Sequence, residues 1–574
     1  MAKVTKPAAP DHLTMNLFAP GMTALHRAGL GGLACTLKAI ERHHKAGLLR
    51  DDKVPGEMTG GEYPWAVDEQ SVTLRFGKPE NAGAYLKALF AFAFQIRDGV
   101  IFLPGQYPDP PPSLAVRAEM QAGLTLTFIQ HGQTRELGPT TPYYVDPDGS
   151  GSGTIAIDFR HCTWFKHQDG WCDLRDAKTQ TLGAGRVEVS GPLNPGAVVR
   201  HVAFGLASRI DERPSGVLPL YFGMVGCLAL TVTRGTGILL VPEVNDLESF
   251  QVDRPQITPR TVAECRVAGV GDAVLQALVR LRARSVNDEA SLPGCLAARF
   301  AATAWASKQK SRVNAVTHDA AGAHKVEPSQ RTAEDTALTR FEVAMAELPP
   351  RVRHKVVAET IGTGKSKQRV DRDDYFWAES AIRPHIAANL ATGRPWYDEF
   401  VALFRDEEAR KRVSYETGGL RAMAKNRTLT DDDEARYIAA VHRAIYRGRG
   451  RIYRDTMGVA AAEARMPASD ATFKRWEKFM QNLRLRLVGA KTATQVQDVI
   501  SELLARYGTL TELRDRAAAV LVREFAYGDD WQRARNLALF ALASYVRPTD
   551  AEPIVGDPED LAETNSPINS TPEV

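Results

Sequence analysis

A run of arginines and tyrosines carries the most suggestive chemistry: Glu434-Ala-Arg-Tyr-Ile-Ala-Ala-Val-His-Arg-Ala-Ile-Tyr-Arg-Gly-Arg-Gly-Arg-Ile-Tyr-Arg454. Arg436, Arg443, Arg447, Arg451 and Arg454 are separated by 7, 4, 4 and 3 positions, with Tyr446 and Tyr453 among them. On a helix this spacing sets the arginines along one face. A guanidinium is a planar fork that fits phosphate, and a phenol ring is a surface on which a base stacks. Together they suit a flexible nucleic-acid strand better than a small substrate; a merely solvated helix face is the alternative. Gly448 and Gly450 count against an unbroken helix, at about 1 kcal/mol each relative to alanine. A second basic patch holds Lys474, Arg475, Lys478, Arg484 and Arg486 around Trp476, a residue that either joins a core or stacks on a base.

Other segments invite chemistry less strongly. His161 to Cys172 places two His and two Cys within twelve positions, ligand types that suit zinc, but at a spacing that matches no common closed site. In the same segment Lys166, His167 and Gln168 lie between Trp164 and Trp171, a polar turn able to touch DNA base edges or phosphates, or simply a surface hairpin. Arg200 and His201 end an extended run, and Arg27 opens a helix after His26; each is a candidate for an RNA phosphate or for a structural hydrogen bond. Ile361-Gly-Thr-Gly-Lys-Ser366 imitates a phosphate-binding loop. Its first glycine position is Glu359, however, and a carboxylate there repels phosphate. Lys365 and Lys367 of that basic loop remain candidates for contact with a phosphate backbone. No Ser-His-Asp spacing, His-Glu-x-x-His or paired carboxylate stands out, and neither a metal nor a cofactor is expected.

These residues need elements to position them. The 574 residues, 44% hydrophobic and 25% charged, describe an ordinary globular chain of roughly two to four domains. Net charge is only +3, but residues 550–574 hold seven acids and no Lys or Arg, so the remainder stands at +10. The six cysteines contain no Cys-x-x-Cys and read as reduced thiols. The first residues lack an export signal and no run of about 18 apolar residues exists, so a cytoplasmic location is expected.

The pattern predicts an α+β N-terminal domain followed by an all-α helical-bundle C-terminal domain. Residues 1–11 read as a flexible arm, 12–308 as the α+β domain, 309–335 as a linker or long loop, 336–549 as the bundle, and 550–574 as an acidic disordered tail. A helix is expected from Thr23 to about His44, with Gly29, Gly31 and Gly32 explained if another backbone packs closely there. Strands are expected at 71–76, 99–103, 154–159, 186–190, 218–233 and 237–241. Residues 79–94, 274–284 and 296–308 read as helices, and 113–131 as either strand or helix. Further helices are expected near 336–347, 351–361, 374–390, 396–412, 432–447, 471–488, 494–507, 510–524 and 531–545.

Several blocks also carry a resemblance: Thr23-Ala-Leu-His-Arg-Ala-Gly-Leu-Gly-Gly-Leu33, Thr141-Pro-Tyr-Tyr-Val-Asp-Pro147, Asn194-Pro-Gly-Ala-Val-Val-Arg-His201, and Leu218–Leu230 with its Val-Gly-Cys-Leu. In order and spacing they resemble the large subunit of type I CRISPR Cascade effector complexes, in the myxan subtype of its Cas-eight family. The likeness is specific over about residues 15–245 and rests on architecture downstream. It implies a non-catalytic subunit in antiviral defence, bound to crRNA, target double-stranded DNA and Cascade backbone subunits. Such a subunit recognises the protospacer-adjacent motif, stabilises the displaced strand of the R-loop and recruits a helicase–nuclease. Guide pairing supplies the sequence specificity in such complexes. On this reading the arginine stripe, with Lys474, Arg475 and Lys478, binds the non-target strand; Lys166, His167 and Gln168 are candidates for reading the motif. A small helical subunit translated internally from Met423, with Met457 as competing start, is a further expected partner. The rival functions are a nucleic-acid-processing nuclease and a structural scaffold that binds no nucleic acid.

Overall fold

The computed structural model describes residues 9–146, 155–195, 210–232, 235–284, 294–303, 312–320, 328–361, 368–460, 467–508 and 530–546. Arg200, His201, Lys365, Lys367, the expected 510–524 helix and the acidic tail lie outside the described residues. Internal contacts divide the chain into a unit ending at Asp398 and a unit beginning at Glu399.

The first unit is α+β. It opens with β1 (His12–Asn16), α1 (Ala24–Lys45), β2 (Trp65–Val67), β3 (Ser71–Arg75), α2 (Ala82–Ala93), β4 (Gln95–Arg97) and β5 (Val100–Phe102). There follow α3 (Leu114–Leu126), β6 (Arg135–Val145), β7 (Ile155–Phe165), α4 (Trp171–Leu174), β8 (Val187–Glu188), β9 (Asp211–Glu212), α5 (Pro214–Gly226), β10 (Leu228–Val232) and β11 (Thr236–Pro242). It closes with α6 (Leu247–Asp253), α7 (Val270–Arg284), β12 (Cys295–Thr303), β13 (Arg312–Ala320), α8 (Pro328–Glu347), β14 (Arg351–Ile361), β15 (Gln368–Ala378) and α9 (Arg383–Ala391). The largest sheet is the antiparallel ribbon β10-β11-β12-β13; β1-β3-β2 forms a three-stranded sheet, and the other strands pair as hairpins.

Helix α1 is the hub. Thr23 caps it: its hydroxyl accepts from the His26 N–H while the His26 ring accepts from the Thr23 N–H. Since Nδ1 is the acceptor, Nε2 carries the proton and donates to Glu212 Oε2 at 3.0 Å. Arg42, His43, His44 and Lys45 fill the last turn, where cations meet the negative end of the helix dipole. Leu30, Leu33, Leu37 and Ile40 are fully buried, each contributing about 1.5–3 kcal/mol. The glycines let α1 and α5 touch backbone to backbone. A Cβ on Gly29 would sit 1.9 Å from the Pro219 carbonyl oxygen, one on Gly32 2.3 Å from that of Phe222, and one on Gly226 1.8 Å from that of Ala28.

Several stretches depart from the sequence-based expectation. Residues 296–308 do not form a helix: Cys295–Thr303 is a strand paired on both sides, with β11 and β13. Residues 309–335 contain β13 and the start of α8 rather than a structureless connection. Residues 351–361 form β14, paired to β15 from Arg351↔Ala378 to Ile361↔Gln368, and β15 takes the first residues, 374–378, of the expected 374–390 helix, which begins only with α9 at Arg383. The expected strand at 218–233 divides into the C-terminal part of α5 and strand β10, and 113–131 resolves as helix.

The second unit is helical: α10 (Glu407–Ser414), α11 (Thr417–Lys425), α12 (Asp432–Met457), α13 (Asp470–Gly489), α14 (Ala493–Tyr507) and α15 (Trp531–Ser544). Its core joins Ile438, Val441 and Ile445 of α12 to Leu537 and Phe540 of α15 and Leu503 and Leu504 of α14. The Tyr437 hydroxyl donates to the Ala534 carbonyl at 3.2 Å and His442 Nε2 to the Ala541 carbonyl at 2.8 Å, fixing α12 on α15.

Candidate nucleic-acid interface

Helix α12 is built to start acidic and end basic. Asp431 accepts from the Glu434 N–H at 2.7 Å and the Glu434 carboxylate accepts from the Asp431 N–H, a reciprocal cap. Arg533 of α15 donates to Asp431 at 3.0 Å and to Glu434 at 2.8 Å. The acids are therefore engaged at the helix start, and the arginines follow from Arg436 onward.

The buried face of α12 carries Tyr437, Ile438, Val441, Ala444, Ile445 and Gly448. At 100° per residue, Arg436, Arg443 and Arg454 fall on the opposite side, with Arg447 at its edge and Arg451 on the flank. Arg436, Arg451 and Arg454 are exposed and Arg443 and Arg447 half-buried. Arg436 stands 3.9 Å from Asp433, a loose pair between two exposed side chains. Tyr446 is 43% exposed, enough open ring for a base to stack on, and Tyr453 is half-buried. The helix runs through both glycines: Gly448 is where α13 packs, a Cβ there lying 3.1 Å from Phe479.

The second patch lies on α13. Lys474, Arg475 and Lys478 are exposed. Trp476 stacks on Phe479 with centroids 5.5 Å apart, and Arg449 of α12 lies over the Trp476 ring at 5.4 Å. Arg449 escapes a count of stripe positions because it points to the side of the face, and only the packing of α13 gives it a role. Arg486 pairs with Glu502 at 2.7 Å, and burial, then Arg410, lowers the Arg484 pKa.

The first unit treats the other candidates differently. His167 is fully buried within a 3₁₀ turn, ringed by Phe94, Phe128, Phe165 and Tyr221. It cannot read a base from there, because polar sequence neighbours said nothing about the aromatic rings that enclose it. Gln168 is committed to the fold, accepting from the Phe165 N–H and donating to the Phe94 carbonyl, both at 3.2 Å. Lys166 and Gln168 are both half-buried, and Lys166 is paired with Asp173 at 3.2 Å. Arg27 is half-buried beside the capping His26. Cys162 is buried and Cys172 exposed, and among the described residues no group of three His, Cys, Asp or Glu could hold a metal ion. No described helix is long and apolar enough to cross a membrane.

Burial lowers the His167 pKa from its ordinary value of 6.5 to about 3. The folded form binds its proton more weakly than the unfolded form. The neutral ring's contribution is therefore complete above about pH 6.5 and is lost as pH falls toward 3, at up to about 1.4 kcal/mol per pH unit. His167→Phe, filling an aromatic site, should flatten that part of the stability curve between pH 6.5 and 4, as measured by urea midpoints. An unchanged acid limb would show that other groups control it.

Comparison with known proteins bears on the whole chain. Residues 14–221 match the DevT N-terminal domain family and residues 425–568 the DevT C-terminal domain family. The chain is 31% identical over 572 residues to the CRISPR-associated protein Cas8a1/Csx13 of Myxococcus xanthus (strain DK1622), covering 95% of this chain and 91% of that relative. By those matches, end to end and domain by domain, the chain belongs to the Cas8a1/Csx13 family of CRISPR-associated proteins.

Proposed function

We propose that the chain is the non-catalytic large subunit of a type I RNA-guided surveillance complex. Its first unit docks on crRNA and the backbone subunits and recognises the protospacer-adjacent motif. Its helical unit holds the displaced non-target strand, and the assembled subunit recruits a helicase–nuclease. The observation that carries this reading is the arginine stripe of α12, with Arg436, Arg451, Arg454 and Tyr446 exposed, together with the exposed Lys474, Arg475 and Lys478 of α13, on a chain of a CRISPR-associated family. Neutralising consecutive phosphates releases condensed counterions, so binding of this kind is strongly salt-dependent. Lys166, half-buried and paired with Asp173, remains the motif-reading candidate; Arg27, Arg200, His201, Lys365 and Lys367 remain candidates for RNA or phosphate contact. The test is co-expression with the neighbouring backbone genes and a guide. The subunit should co-purify with crRNA, and permanganate should modify thymines of the non-target strand only when subunit, guide and matching target are all present. An RNA-free preparation that cuts DNA with Mg²⁺ would overturn the reading in favour of a nuclease.

A separately translated helical subunit fits the same scheme. Met423 is buried in α11, and the match to the C-terminal domain family begins just after it, at residue 425. A gene whose first start codon is blocked should still yield a band of roughly 16 kDa, for ordinary globular composition. Recoding Met423 should abolish it; loss only on recoding Met457 would assign the start there.

A further inference from the structure

The β4–β5 hairpin turns through Asp98 and Gly99, both at positive φ, 56° and 72°, the backbone of a two-residue turn that favours Asp-Gly. A Cβ on Gly99 would lie 2.4 Å from the His161 ring, so the turn is pressed onto β7. The turn fixes where Arg97 points. Its guanidinium carbon lies 3.9 Å from the centre of the Phe102 ring, and that of Arg117, from α3, lies 5.5 Å from the same centre. Two like charges thus share one aromatic ring.

Their bonds leave donors over. Arg97 gives Nε to Gln95 Oε1 at 2.9 Å, and its two terminal nitrogens have no partner among the described residues. Arg117 gives Nε to the Pro112 carbonyl and one terminal nitrogen to Asp98, each at 3.2 Å, while its other terminal nitrogen is buried and unpartnered. His43 sits edge-on to Phe92, and burial first, then Arg42 and Arg97, lowers its pKa against the pull of Asp109, so the ring adds no charge while Arg42 does. Burial first, then Arg117, lowers the Arg97 pKa against the opposing pull of Asp98.

We propose that Arg97 and Arg117, seated on Phe102, form a phosphodiester-binding site that takes a backbone phosphate of a nucleic-acid strand. Planar forks with unused terminal donors match phosphate oxygens, and the ring beneath Arg97 preorganises its fork. Phe102 is only 4% exposed, so no base stacks there: the site holds backbone and reads no sequence. The proposal rests on the reading of the chain as a nucleic-acid-binding subunit.

The experiment uses the full chain, with Arg97→Gln and Arg117→Gln combined. Binding to a labelled single-stranded RNA and to a labelled duplex DNA is followed by anisotropy across a KCl series. The double variant should bind about tenfold more weakly. Its log–log salt slope should be shallower by about 0.7 on the single strand or about 0.9 on the duplex, the share of one phosphate. Whichever nucleic acid shows the change is the occupant. The Lys/Lys variant should keep the slope, which a merely structural role would not restore, and Arg97→Gln alone, at an exposed residue, serves if the double variant does not fold. Slopes unchanged on both nucleic acids, with the wild type binding normally, overturn the site. A wild type with no salt-sensitive binding overturns the functional reading itself.

Discussion

Asp272→Ala is expected to destabilise the first unit by about 3–5 kcal/mol, because it strands a buried guanidinium. Asp272 and Arg383 are both completely buried. Arg383 Nε donates to Oδ1 at 2.8 Å and a terminal nitrogen to Oδ2 at 2.9 Å, the bidentate arrangement. Its remaining terminal nitrogen donates to the Leu348 carbonyl at 3.1 Å, and Asp272 also accepts from the Ala268 N–H at 2.7 Å and from Gln276 at 3.2 Å. Asp272 opens α7, Arg383 opens α9, and Leu348 follows α8, so one ion pair ties three helices. Arg383→Met should cost a similar amount by leaving the carboxylate unpaired. The combination Asp272→Leu with Arg383→Met should recover most of the loss, since a buried pair contributes little over apolar residues that fill its space. Urea unfolding of wild type, Asp272→Leu, Arg383→Met and the double variant closes the cycle. Additive losses would show that the two groups do not depend on each other, contrary to the geometry.

That pair also shows what a sequence conceals. Asp272 and Arg383 are separated by 111 positions, and nothing local distinguishes either from a surface charge. Local signals worked where the physics is local. The Thr23 cap, the glycines of α1 and the arginine period of α12 each follow from neighbours within a few turns. They failed where pairing across the chain decides. Cys295–Thr303 holds four alanines, a composition that favours helix, yet β11 and β13 on either side fix it as a strand. Arg351–Ile361 reads as helix until Gln368–Ala378 is laid against it. Strand preference is mostly a statement about neighbours in the sheet. The candidate site divides the same way. The α12 face was legible as a period, whereas the burial of His167 and the engagement of Gln168 depend on Phe94, Phe128 and Tyr221, all distant in sequence.

Changing Arg443, Arg447 and Arg451 together to alanine should weaken retention of the displaced strand roughly 30- to 150-fold while leaving motif preference intact. The magnitude follows from about 0.7–1 kcal/mol per partly exposed charge contact, summed over three. The helix itself should survive, since alanine has the highest helix propensity and the opposite face, from Tyr437 to Gly448, keeps its packing. If the three side chains meet three phosphates of one unpaired strand, the log–log salt slope should fall by about 2, at about 0.7 per phosphate. Tyr446→Ala should act differently: a stacked base lost costs about 1–3 kcal/mol with little change in slope, because no counterion is released. Separate readouts, permanganate footprinting of the non-target strand for retention and a motif library for preference, keep the two effects apart. Equal loss on every motif with a shallower slope supports a backbone grip by α12. A changed motif order would transfer motif reading to the helical unit, and an unchanged slope would return the arginine face to plain solvation.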